Sequence, residues 1–234
     1  MSAGRGRAAG VGPSGAAPAV FGPTLGRGFF DRHPAEVARD LLGRCLFSAV
    51  GPEPVVVRLT EVEAYAGEVD PASHAFRGPT VRNEVMFGEG GHLYRYFIYG
   101  MYWCANVVTG PAGTAGGVLL RAGEVVAGHE LARLRRPSAR KESDLAAGPA
   151  KLTAALGWNA VDSGPRSGED LCSTTGPARL LAGTPVAPEQ VVAGPRVGVA
   201  AAKEVPWRFW VDGDPTVSTY RRHVPKKTPG RGVD

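Results

Sequence analysis

The stretch HLYRYFIYGMYWCANVV, from His92 to Val108, sets the reading of the whole chain. Two β-rich arms flank Tyr99-Gly100, where glycine permits a tight or bulged turn. Along the first arm a period of two puts Tyr94 and Tyr96 on one face and Arg95, Phe97 and Tyr99 on the other. Five of the chain's six tyrosines fall between Tyr65 and Tyr102. A buried tyrosine needs a partner for its hydroxyl, so a plain core would use Phe, Leu or Val instead. The wider region, Leu59 to Arg121, also holds Glu61, Glu63, His74 and Asn106, and reads as a site for a flat ligand. Tyr99 and Met101 then stand at a hairpin tip, where large apolar side chains are costly to leave in water. Such a tip suits a wedge between stacked bases, or a hairpin folded back over the core.

Upstream, VVVRLTEVEAY (Val55 to Tyr65) reads as a strand, paired through the turn GPEP with a strand CLFSAV that begins at Cys45. Strict alternation places Val55, Val57, Leu59, Glu61, Glu63 and Tyr65 on one face, which is therefore expected to start apolar and end acidic and aromatic. Two carboxylates about 6.6 Å apart along a strand repel each other, and burial would raise one pKa, as a general acid or base needs. Alternatively one of them is the structural partner of an arginine such as Arg77, Arg82 or Arg121. PAEVARDLLGR predicts a short amphipathic helix with Pro34 in its first turn, Val37, Leu41 and Leu42 inward, and Gly43 at its end. Gly67 to Gly91 is loop-like and contains DPASHAFRGPTVRN, in which His74 lies between small residues.

Downstream, GGVLLRAGEVV reads as a central strand ending at Arg121. Helical patches follow, one carrying Leu131 and Leu134, the next begun at Pro149 and carrying Leu152, Leu156 and Trp158. Arg133, Arg135, Arg136, Arg140, Lys141 and Lys151 make this the most basic part, either a solvated face or a surface for a phosphate backbone. LLAG, VVAGPRVGVA and WRFWV read as short strands. The expected architecture is a single α+β domain, a curved and mostly antiparallel sheet with short helices around it and a protruding β-hairpin. The folded domain is expected over residues 25–220, between a disordered Gly/Ala/Pro/Arg tail at 1–24 and a basic C-terminal tail at 221–234.

The 234 residues, 43% hydrophobic, suffice for one sizeable core, and the net charge of +5 favours a polyanionic partner without requiring one. Cys45, Cys104 and Cys172 have no metal-ligand spacing and are expected as free, mostly buried thiols. No apolar run approaches the roughly 20 residues of a membrane span, and MSAGRGRAAG lacks the apolar middle of a secretory signal. A cytoplasmic protein is expected, nucleoid-associated in a bacterium or nuclear in a eukaryote. No lysine lies between Leu59 and Arg121, and the first is Lys141, so attack by an amine is disfavoured against hydrolysis.

TEVEAY, DPASHAFRGPTVRN, MF, LYRYFIYGMYWCAN, VLLRAGEV and GPAKL, in this order and spacing, resemble the alkyladenine (3-methyladenine) DNA glycosylase family from about Gly26 through Ser218. The resemblance implies a monofunctional enzyme without metal or organic cofactor, which hydrolyses the N-glycosidic bond of alkylated or deaminated purines in double-stranded DNA; a monomer is expected. It implies that Glu63 activates water, with Arg121 near the water and the sugar-phosphate. Tyr65, His74 and Tyr96 correspond to walls of the base pocket, and Asn106 to the residue whose bulk disfavours the guanine amino group. Tyr99, with Met101 beside it, corresponds to the intercalating wedge. Trp103 and Ala105 around Cys104, and the loop at Phe76 and Pro79, depart from the pattern. Two other readings stay open from the residues themselves: a non-catalytic binder of distorted DNA, and a carbohydrate hydrolase using Glu61 and Glu63 as paired carboxylates.

Overall fold

Strand β2, Val55–Tyr65, is the axis of the sheet. It pairs antiparallel with β1 (Cys45–Ser48) along its first half and with β8 (Arg208–Val211) at Glu61 to Glu63, while β5 (Gly117–Ala127) runs along its other edge. The order β3-β4-β5-β2-β1-β6 is extended by β8 on β2 and β7 (Val191–Gly194) on β8, eight strands in one sheet. β3 is Leu93–Ile98, β4 is Tyr102–Val108 and β6 is Ala178–Leu181. Every pairing is antiparallel, and with three α-helices among the described residues this is a single α+β domain. The structure, a computed structural model, describes residues 19–159 and 164–221.

α1, Pro34–Leu41, starts as its sequence dictates: the His33 ring accepts the Ala35 N–H, and Pro34 occupies the first turn. Val37, Ala38 and Leu41 meet Val57, Leu59 and Val62 of β2 in the main core. Gly43 then turns the chain at φ 80°, where a Cβ would lie 2.0 Å from the Thr184 carbonyl oxygen, so only glycine fits. α3, Pro149–Ala155, buries Leu152 and Ala155, and Leu156 and Trp158 follow into the same core.

Four expectations are corrected. β5 does not end at Arg121 but runs on to Ala127. In α2, His129–Arg135, the buried residue is Ala132, whereas Leu134 is 79% exposed. The basic run there is only in part a solvated face: Arg135 donates to the Ala155 and Val50 carbonyls and Arg136 to the Leu145 carbonyl, while Arg133 pairs with Glu142 at the surface and Arg140 and Lys141 are exposed. The strict alternation of β2 also fails. Opposed irregularities leave Thr60 and Arg121 out of register between Leu59↔Gly123 and Val62↔Leu120. Consequently Val55, Val57 and Leu59 share the core with Val62 and Ala64, and Glu61 and Glu63 are released to the other face. An extra residue inverts the phase of a strand, and such bulges re-aim side chains beside functional sites.

Among the N-terminal residues assigned to the tail by composition, Ala19–Phe21 forms a single 3-10 turn and Thr24 bridges to Leu181 at the sheet edge. Residues 1–18 of that tail, and the C-terminal one from residue 222, lie outside the described residues. Among the described residues no helix is long and apolar enough to cross a membrane.

Candidate active site

The irregularity at Thr60 brings Glu61, Glu63 and Tyr65 to one end of the sheet, and β5 answers with Arg121. Arg121 lies between the two carboxylates, its Nε donating to Glu61 at 2.9 Å and its Nη1 standing 3.3 Å from Glu63. The mutual repulsion expected of the two acids is thereby cancelled. Glu61 is the structural member: it also accepts from Arg208 Nε at 2.6 Å, from the Ser218 N–H at 2.7 Å and from Ser218 Oγ at 3.0 Å. Burial pushes the Glu61 pKa up, but Arg121, Arg208 and Ser218 together outweigh it and leave the carboxyl below its ordinary value. The raised carboxylate pKa anticipated for such a pair is therefore not found at Glu61. Arg77 and Arg82 are not the glutamates' partners; Arg82 instead donates to the Phe97 carbonyl and lies over the Tyr96 ring.

Glu63 is fully buried yet lines a cavity of about 570 Å³. Its Oε2 accepts the Tyr65 phenol at 2.8 Å and its Oε1 accepts the Val197 N–H at 2.7 Å. With Arg121 these are all donors, so both oxygens work as acceptors. Burial, followed by the neighbouring Glu63 charge, pushes the Tyr65 phenol well above its ordinary value and keeps it a donor.

The cavity walls are aromatic. Tyr94 and Tyr96 stack with centroids 5.4 Å apart and 27° between planes, and His74 meets Tyr96 edge-on at 4.5 Å. The Tyr94 hydroxyl is 3.1 Å from His74 Nδ1, so a donating phenol leaves the hydrogen on Nε2. Desolvation of the His74 ring, then the Arg82 charge, lowers its pKa below 6.5. Burial, with the Cys104 thiol beside the hydroxyl, raises the Tyr96 phenol. Asn106 lines the cavity, and its carboxamide has no hydrogen-bond partner among the described residues.

Glu63, Tyr65, His74, Tyr96, Asn106 and Arg121 thus meet in one cavity, and Tyr99 reaches its rim. Met101 does not line it, lying instead at the hairpin tip. Tyr99 is 81% exposed and Met101 64%, and Tyr99 itself has φ 55°, a conformation costly for a side chain with a Cβ. The turn forces this by placing Tyr99 and Gly100 both at positive φ between β3 and β4.

Sequence reasoning missed Arg208, Ser218, Arg196 and the Val197 N–H. WRFWV carried a signal: an arginine between Trp207 and Phe209 in a strand is buried whenever that strand is, and a buried arginine requires an acceptor.

A buried carboxylate held by donors beside an aromatic cavity suits a hydrolase, and the family match places the chain among DNA glycosylases, enzymes of base-excision repair. The sequence model of the methylpurine-DNA glycosylase family matches residues 28–215, and the chain belongs to that family. It is 55% identical over 206 residues to a Streptomyces avermitilis protein, covering 87% of this chain and 94% of that one. A Nocardia farcinica protein is 50% identical over 194 residues (81% and 88%), and a Burkholderia lata protein 44% over 202 residues (86% and 94%). All three carry the name "Putative 3-methyladenine DNA glycosylase".

Proposed function

We propose that this protein, acting as a monomer on chromosomal DNA in the cytoplasm, flips alkylated or deaminated purines such as 3-methyladenine out of the duplex and hydrolyses their N-glycosidic bond. The observation that carries this reading is the Glu63 carboxylate, held by Tyr65, Val197 and Arg121 where it borders the aromatic cavity. Extruding a nucleotide costs a few kcal/mol, least where pairing is already damaged. Stacking on aromatic rings returns roughly 1 to 3 kcal/mol per base. A purine alkylated at N3 or N7 is cationic, so the faces of Tyr65 and Tyr96 add a cation-π attraction of about 0.5 to 2 kcal/mol.

Glu63 accepts a proton from the water that attacks the anomeric carbon, and Arg121 holds the carboxylate in place. The displaced bond pair goes to the purine. A cationic purine leaves as a neutral base without assistance. A neutral one such as hypoxanthine needs a hydrogen-bond donor to the departing base, a role we give to His74, whose Nε2 carries the hydrogen when the Tyr94 phenol donates to Nδ1. Tyr99 fills the gap left in the stack, and Asn106 meets the purine edge with its free carboxamide. No lysine lines the cavity among the described residues, which supports hydrolysis over Schiff-base formation and strand cleavage.

The test is base release from lesion duplexes by Glu63→Gln, which keeps the shape and loses the base. Retained lesion binding with abolished release is expected. Undiminished release overturns the assignment, and a wild-type protein that binds lesions without releasing bases is a binder alone.

A further inference from the structure

Behind Tyr65 lies an arginine that the mechanism does not use. Arg196 is 1% exposed, and its guanidinium donates to the Ala64 carbonyl at 2.9 Å and to both oxygens of Asp70, at 2.5 and 2.9 Å. Its faces meet Tyr65 at 4.7 Å and Trp207 at 5.4 Å. Its Nε has no hydrogen-bond partner among the described residues. A buried ion pair with an orphaned N–H is a poor source of stability, and apolar side chains of the same volume would serve as well. What the pair supplies is geometry.

Both ends of that geometry reach the cavity. Asp70 also accepts the N–H groups of Ala66 and Ala72, which fixes the exit of β2 into the loop whose Pro71 and Ala72 line the cavity. Arg196 begins the segment whose residues Val197 to Ala201 form another wall. The residue next to it supplies the Val197 N–H to Glu63. This second segment is not relaxed, since Ala202 has φ 48°, and such a turn persists only where its surroundings hold it.

We propose that Asp70 and Arg196 are a positioning clamp, joining two walls of the base cavity behind Tyr65 and setting the Val197 N–H that holds Glu63. The clamp acts through Glu63 and Tyr65, so it rests on the function proposed above. Its loss lets the carboxylate and the Tyr65 ring drift from the sugar. A small misplacement of a catalytic group costs rate far more than affinity. A cationic 7-methylguanine departs readily and leans little on the push of the Glu63-bound water, whereas neutral hypoxanthine needs that push as well as a donor and so suffers more.

The experiment is single-turnover base release at saturating enzyme from hypoxanthine and 7-methylguanine duplexes, well below the measured melting temperature of each variant. Arg196→Lys keeps the charge but loses the planar fork, and Asp70→Asn keeps the shape but loses one acceptor. We expect each to slow hypoxanthine release by at least about tenfold and 7-methylguanine release by clearly less, with affinity for the lesion duplex within about threefold. Equal losses on the two lesions, as general loosening would give, overturn the clamp. So does hypoxanthine release within about twofold of wild type. Should Arg196→Lys fail to fold, Asp70→Asn decides by the same outcomes. Glu63→Gln run alongside separates the two ideas: if it still releases hypoxanthine, the proposed function fails and takes the clamp with it. If it is inactive while Arg196→Lys is unimpaired, the clamp alone fails.

Discussion

The phenol of Tyr65 donates to the carboxylate of Glu63 across 2.8 Å, from two residues further along the same strand. One side chain thus lines the cavity with its ring and gives a hydrogen bond to the acid. Tyr65→Phe keeps the face and removes the bond, leaving Glu63 freer to rotate. Lesion binding should stay within about threefold while single-turnover release falls by about tenfold, and Tyr65→Ala should lose binding as well. Gel-shift and quench-flow measurements on one hypoxanthine duplex check both.

Tyr99 is mostly in water at the hairpin tip and carries the strain of a positive φ. If it fills the gap in the base stack, Tyr99→Ala weakens binding to a lesion duplex by about tenfold or more, and binding to a single strand with the same lesion much less. Equal losses on the two substrates, measured by fluorescence anisotropy, exclude the wedge role.

Acid should unfold the protein partly through Glu61. Its folded pKa lies below the ordinary 4.5, because two arginines and Ser218 outweigh burial. The unfolded chain therefore binds a proton first as the pH falls, and the stabilisation, complete above about 4.5, is lost as the pH drops through the folded value. Glu61→Gln leaves the buried Arg208 without its carboxylate partner and Arg121 with Glu63 alone, and should cost about 3 kcal/mol at neutral pH. Urea titrations across pH should show a shallower acid decline in the variant, and an unchanged acid slope contradicts the assignment.

Asn106 offers an unpartnered carboxamide to the cavity. Asn106→Ser makes room at the purine edge, so release of guanine lesions should rise relative to hypoxanthine. Rates on 7-methylguanine and hypoxanthine duplexes give the ratio, and a ratio that stays constant removes Asn106 from the selectivity argument.

The hairpin was legible because its causes are local: alternation in LYRYFI and YWCANVV, and a glycine where the turn needs positive φ. The same locality made β2, α1 and the start of α3 readable to within a residue or two. The phase of β2 was not, because it depends on two irregularities, at Thr60 and Arg121, that are defined only relative to each other. The basic run of α2 was legible only in part, since charge looks alike whether it meets solvent, as Arg133 does, or turns to backbone carbonyls, as Arg135 and Arg136 do.

From the sequence alone came the fold class, the strands and several of the side chains that line the cavity, Glu63, Tyr65, His74 and Tyr96 among them, since period, turn chemistry and residue type act over a few neighbouring positions. Tertiary structure alone decided what holds each glutamate. Glu61 is claimed by Arg208 from 147 residues away and by Ser218 from 157, while Glu63 is left bordering the cavity, held by Val197 from 134. A buried carboxylate takes its character from its donors, and these become neighbours only once β8 and the C-terminal segment have closed against β2.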